Sequence, residues 1–184
     1  MIYLILGVAL WFAGHLWNRF LPGAYTSLGK AAYGVSLGMI LGSLALMVVG
    51  YRMADPIILW SGPVWFTHVN NLLMVFAFFT YMATATPLGT AWLVGNVRHP
   101  QLTGFKIWTV AHLLVNGDLA SVVLFGGLLA WAVMEVILIN RQGEKFDRSK
   151  APIKSPLVHA ALSLGVFVVV AGIHAWLGPS PFGG

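Results

Sequence analysis

The chain has 184 residues, of which 59% are hydrophobic and 8% charged, with a mean hydropathy of +0.85. Soluble domains carry about 25% charged residues, so this few charges cannot clothe a water-facing surface and the apolar surface has to face lipid. The net charge of +5 does not imply nucleic acid, because about half of the charges cluster between Arg141 and Lys154 and the rest are scattered singly.

The first apolar run has no basic residue before it and no A-x-A site after it, so it reads as a retained span and not a cleavable signal. A membrane helix needs about 20 mostly apolar residues at about 1.5 Å rise each. Residues 2–20 supply the first, with His15 inside it and Arg19 at its end. Leu21-Pro22-Gly23 breaks the chain, and a small polar loop runs to Lys30. Residues 32–50 form the second span, whose Gly34, Gly38 and Gly42 offer a smooth packing face at a spacing of four. A loop with Trp60 follows, and residues 63–85 form the third span, with Thr67, His68, Asn70 and Asn71 near its start.

Pro87, Gly89 and Gly95-Asn96 mark a connecting loop that ends in Arg98-His99-Pro100-Gln101. From Ile107 to Ile139 the chain is too long for one span. Asn116-Gly117-Asp118 is a turn signal near the middle, which divides the stretch into a short fourth span, 102–116, and a fifth, 119–140. The basic loop follows, Pro156 opens the sixth span in the manner of a first-turn proline, and that span runs to 177. The expected fold class is all-α, a polytopic membrane helix bundle of about six transmembrane helices forming a single domain over 1–184. Six spans put Arg19, Lys30, Arg98, Lys106, Arg141, Lys145, Arg148, Lys150 and Lys154 on one side and only Arg52 on the other. The positive-inside rule then places both termini outside the cytoplasm.

Imidazoles and charges at membrane depth are costly, so each needs an internal partner or a role. Thr109, His112 and Asn116 share one face of the fourth span, with Lys106 nearby. Packing alone accounts for Thr109 and Asn116 as interhelical hydrogen-bonding groups. His15 lies roughly 8 Å and His112 roughly 15 Å inside the membrane by helical rise, closer in depth than the other well-buried imidazoles. His68 and His174 fall near the outer face and His159 near the cytoplasmic one. With no cysteine in the chain, thiolate metal sites and covalently attached haem are excluded. Two neutral imidazoles from separate helices suit the axial positions of a non-covalent haem iron. Arg98 carries a donor fork suited to carboxylate or phosphate beside the helix start at Pro100, and a plain interfacial role is equally open. Glu135 is placed to pair with Arg98 or His99.

Arg98-His99-Pro100-Gln101-Leu102, Ala111-His112-Leu113-Leu114, Asn116 to Ser121, Phe125-Gly126, Gly14-His15 and His68 together resemble the NnrU family over about residues 1–142. The resemblance implies a bacterial inner-membrane protein linked to denitrification and nitric oxide metabolism. The family is similar to the 15-cis-zeta-carotene isomerases, which hold haem b with histidines for redox isomerisation. Carried over, that likeness falls on His15, His99 and His112. The isomerases' further fifth-span histidines have no counterpart in Leu128 to Val133. Arg98, His99, Pro100 and Gly104 also resemble the isoprenylcysteine carboxyl methyltransferases, in which the motif helps hold S-adenosylmethionine.

Three readings follow. In the first, haem b is held axially by His15 and His112, with His68 as the reserve ligand, and Arg98 grips a propionate or an anionic group of a small hydrophobic or nitrogen-oxide substrate. In the second, Arg98, His99 and Gln101 cradle S-adenosylmethionine in a methyltransferase. In the third, the chain is a non-enzymatic scaffold or maturation factor. No residue is assigned a catalytic step.

Overall fold

The computed structural model describes residues 1–85, 91–143, 155–178 and 180–182, with only the backbone described at Ala85, Ala91 and Trp92. Among them helix is the only extended regular structure, and one isolated antiparallel bridge joins Ile58 to Asp118. The helices are α1 (Ile2–Phe20), α2 (Pro22–Ser27), α3 (Ala31–Arg52), α4 (Phe66–Ala85), α5 (Ala91–Asn96), α6 (Pro100–Val115), α7 (Leu119–Arg141) and α8 (Pro156–Leu177). Each stretch expected as a span contains a helix, although residues 63–65 of the third and Asn116 of the fourth lie outside it. The short α2 and α5 replace expected loops: Pro22 presets the first helical dihedral, and the Ala-Trp-Leu-Val run of α5 carries no breaker until Gly95.

Among the described residues four helices are long and apolar enough to cross a membrane: Ala31–Arg52, Phe66–Thr84, Leu119–Arg141 and Pro156–Leu177. The sequence suggested about six. α1 has 19 residues but ends in a polar stretch containing His15, Asn18 and Arg19. α6 has 16 residues, about 24 Å of helix against a hydrocarbon core of about 30 Å. The long helices turn bulky apolar side chains outward, with Leu41 56%, Phe76 52% and Val168 59% exposed. Pro87, Gly89 and the loop from Glu144 to Lys154 lie outside the described residues.

The chain divides into two compact units. The first contains Met1–Trp60 and Asn116–Trp131, and the second contains Ser61–Val115 and Ala132–Gly184. In the first, α1 packs on α3. Of the expected Gly34, Gly38 and Gly42 face only Gly42 lies near α1, a Cβ there coming 3.6 Å from Leu10 Cδ2, while one at Gly34 or Gly38 would meet nothing within 4 Å. Glycines elsewhere make the seam. Gly7 lies against Met47 and Ser43, Gly14 against Ile40 and Met39, and Gly50 against the Leu4 backbone. α1 brings its own small residues to the contact, and that selects which face of α3 it meets. Trp17 Nε1–H donates to Ser36 Oγ at 2.8 Å and ties the lower ends together.

The turn before α7 is pinned by the loop that follows α3. Leu59 and Trp60 N–H both donate to the Gly117 carbonyl, at 2.7 and 3.0 Å, and Leu119 N–H donates to Ile57 at 2.8 Å. Gly117 has to lack a side chain, since a Cβ there would strike the Trp60 carbonyl and indole. Asp118 then caps α7, its Oδ1 accepting from Ser121 N–H at 2.9 Å. One turn later α7 widens into a π-helical segment, Val122–Gly126.

In the second unit α4 packs against α6 and α8. Gly104 permits the first contact: a Cβ would come within 2.6 Å of the Ala77 carbonyl and 2.7 Å of Tyr81 N. Beside it, Met74, Ala77, Phe78, Tyr81, Phe105 and Trp108 line an apolar groove of about 260 Å³.

Candidate functional site

A metal binds the imidazole nitrogen that carries no proton, so the hydrogen bond at the other nitrogen decides what a histidine can do. In α1, His15 Nδ1 lies 2.9 Å from the Trp11 carbonyl oxygen. A carbonyl only accepts, so Nδ1 bears the proton and the lone pair sits on Nε2. In α6, His112 repeats the arrangement, with Nδ1 2.9 Å from the Trp108 carbonyl. Both tryptophans stand four residues earlier, one turn back on the same helix face. Their rings cover the imidazoles, with centroids 4.2 Å apart at Trp11–His15 and 5.3 Å apart at Trp108–His112.

His15 has a second indole beside it. Trp131 of α7, buried, lies 4.7 Å from the His15 ring and meets Trp11 edge-on at 5.2 Å. The three rings form one cluster in which each touches the other two.

His159, His99 and His68 are placed differently. His159 is 1% exposed, and its Nε2–H donates to the Phe79 carbonyl at 2.8 Å, linking α8 to α4. Its proton sits on the opposite nitrogen from those of His15 and His112, and the residue serves packing. His99 Nε2–H donates to Asn140 Oδ1 at 2.9 Å, which ties the start of α6 to the end of α7. Glu135, expected to pair with Arg98 or His99, is buried on α7, more than a turn before Asn140. His68 is exposed in the first turn of α4.

Arg98 is half-buried just before α6, and Gln101 is exposed at the second position of that helix. Of the three residues expected to cradle S-adenosylmethionine, His99 is held by Asn140 and Gln101 points to the exterior. Thr109 is fully buried and donates back to the Lys106 carbonyl at 2.8 Å, a packing role. Asn70 is buried and donates to Asn71 Oδ1 at 3.2 Å, while its own Oδ1 has no hydrogen-bond partner.

The Asn116 to Ser121 block is explained by structure. Ser121 Oγ donates to Asp118 Oδ2 at 2.6 Å and lies 2.8 Å from Tyr51 Oη, so three side chains from two segments lock the start of α7. Ser121 is fully buried. Trp11, Trp108, Trp131 and Tyr51 were not singled out from the sequence. The signal for the first two is present, because Trp-x-x-x-His occurs at 11–15 and again at 108–112. Nothing in the linear sequence pairs Trp131 with His15.

The profile of the NnrU protein family matches residues 3–181. The chain belongs to the NnrU family. The match extends past residue 142, where the motif likeness ended, and takes in α8. No curated protein and no solved structure matches the chain.

Haem b is the group that the NnrU resemblance suggests, and donor chemistry tests whether these residues suit it. Among the described residues no three His, Asp, Glu or Cys side chains gather to hold a metal ion. Haem asks less of the protein, because the porphyrin supplies the equatorial ligands and only axial positions remain. His15 and His112, each within its own unit, place Nδ1–H on a carbonyl, which is the tautomer a ligating imidazole adopts.

Proposed function

We propose that this NnrU-family chain is a multi-pass protein of the bacterial inner membrane that binds haem b through Nε2 of His15 and His112. The reading includes six spans, with α1 and α6 added to the four that qualify on length and hydropathy. It also includes basic loops in the cytoplasm and both termini outside, and a role in nitrogen-oxide metabolism or a redox isomerisation. His68 is the reserve ligand. The observation that carries the reading is the repeated Trp-x-x-x-His arrangement, which gives two imidazoles on separate helices the same ligating tautomer.

The chain's own residues have definite tasks in this scheme. Trp11 and Trp108 carbonyls accept the Nδ1 protons, which fixes the tautomer, limits ring rotation and raises the basicity of Nε2. The indoles keep water away from the rings. Arg98 offers a bidentate guanidinium to a carboxylate, either a haem propionate or an anionic substrate group, and the His99–Asn140 bond steadies the turn that carries it. Bound haem supplies a one-electron couple.

Protein purified in detergent from haem-replete membranes is expected to show a Soret band that shifts on reduction. His112→Ala is expected to abolish or strongly diminish it, while His159→Gln, outside the proposed ligand pair, leaves it in place. Colourless wild-type protein overturns the reading.

A further inference from the structure

The 22 residues of α3 rise about 33 Å, enough to cross a hydrocarbon core of about 30 Å, so the chain leaves Arg52 at the membrane boundary. The helix that Leu119 opens is also long enough to cross. Between these two ends lies the non-helical segment Ile57-Ile58-Leu59-Trp60, and it turns its side chains outward. Ile57 is 50% exposed, Ile58 66%, Leu59 52% and Trp60 41%. A run of uncovered apolar side chains marks a surface that meets something apolar. Asp55 and Pro56 just before it are exposed as well, so the surface changes from charged to apolar within two residues.

A non-helical segment can sit on the apolar side of that boundary only if its backbone polar groups find partners within the protein. Three of the four N–H groups in residues 57–60 do so: Ile57 donates to the Asp55 carbonyl at 2.9 Å, and Leu59 and Trp60 both donate to the Gly117 carbonyl. The Ile57 carbonyl in turn accepts from Leu119 N–H. With the Ile58–Asp118 bridge between them, these bonds clip the segment to the start of α7. The Trp60 indole is seated over Gly117, where a Cβ would come within 2.7 Å of its Cγ and Cδ1, and the rest of the ring faces outward. Tryptophan concentrates at membrane–water interfaces because its ring is apolar and its N–H is polar. A loop bathed in water needs none of this, since solvent satisfies its backbone and nothing is gained by exposing apolar side chains.

We infer that residues 57–60 form an interfacial anchor, whose side chains enter the boundary between lipid headgroups and acyl chains at the end of α3. The partner is the bilayer itself, because the patch continues a lipid-facing surface: the exposed Leu41, Leu44 and Val48 run along one face of α3 toward the same end. Amphipathic segments that lie on membranes bury their apolar side about 5–10 Å into that boundary, and the same depth is expected here. The inference rests on the membrane crossing of α3 and is independent of haem.

The chain has no cysteine, so single-cysteine variants can each carry one nitroxide label. Ile58→Cys, Leu59→Cys, Asp55→Cys and Leu41→Cys are labelled in the full chain and reconstituted into vesicles of phosphatidylethanolamine and phosphatidylglycerol. Each label is then tested for collision with oxygen, which concentrates in the bilayer, and with a nickel chelate, which stays in water. The labels at positions 58 and 59 are expected to favour oxygen, at a depth between that of position 55, which favours nickel, and that of position 41, midway along α3. Nickel access at 58 and 59 equal to that at 55 overturns the inference. So does shielding from both reagents, which would mean that protein covers the patch. Nickel access at position 41 overturns the crossing of α3 and the inference with it, an outcome distinct from the other two. Where a labelled variant does not fold, the wild-type chain decides: a diazirine probe dissolved in the bilayer should modify residues 57–60, and adducts on α3 with none on that segment overturn the inference.

Discussion

At the scale of single residues, the division of labour among the histidines is a division of protons. His159 spends Nε2–H on the Phe79 carbonyl and His99 spends Nε2–H on Asn140, whereas His15 and His112 spend Nδ1–H on a tryptophan carbonyl one turn earlier. His159→Gln is expected to keep the spectrum and lower stability, because it truncates a fully buried ring. Asp118 offers a second residue-scale test. Asp118→Ala removes the cap of α7 and the acceptor of the Ser121 hydroxyl, for a loss of about 1 kcal/mol, and Tyr51→Phe costs about 0.5–1.5 kcal/mol. Thermal unfolding in detergent should also show the two losses to be non-additive, since both act through Ser121; strict additivity would mean that the three side chains do not form one network. The sequence shows His15, His112 and the Asn116 to Ser121 block as conspicuous, but not which ring nitrogen bears the proton. That depends on helix geometry delivering a carbonyl to Nδ1.

At the scale of elements, hydropathy and punctuation locate the helices well. Pro100, Pro156 and the Asn116-Gly117-Asp118 turn all stand at observed boundaries, because proline restricts the first turn and a turn signal interrupts an apolar run. Which faces pack is less legible. Gly34, Gly38 and Gly42 form the obvious small-residue stripe, yet of these only Gly42 comes near α1, at Leu10, and the tight contacts are at Gly7, Gly14 and Gly50. A spacing rule sees only one helix, while a seam is chosen by two. The glycine that matters most in the second unit is Gly104, where a side chain would strike the backbone of α4 and no rotamer change relieves the clash. Gly104→Val is expected to cost about 1–3 kcal/mol by overpacking, seen as a lower unfolding midpoint, whereas Gly34→Val, with open space around it, should be near neutral. Equal effects at the two positions would contradict this packing.

At the scale of the whole molecule, the exposed apolar faces of α3, α4, α7 and α8 call for lipid, and composition alone makes that legible. The number of crossings is harder to read. α1 closes on His15, Asn18 and Arg19 and α6 is short, so both fall between a span and a buried helix on length and hydropathy. Six crossings predict that alkaline phosphatase fused at either terminus is active outside the cytoplasm and that fusions in the loop after Arg141 are inactive. A cytoplasmic C-terminus would remove the six-span account. The central claim, that separate helices present two matched imidazoles to one haem, is tested most directly by electron paramagnetic resonance of the oxidised protein. The wild-type chain should give the low-spin signal of bis-imidazole iron, and His15→Ala and His112→Ala should each convert it to high spin or lose the haem. A low-spin signal that persists in both variants, or its absence from the wild type, would contradict the claim.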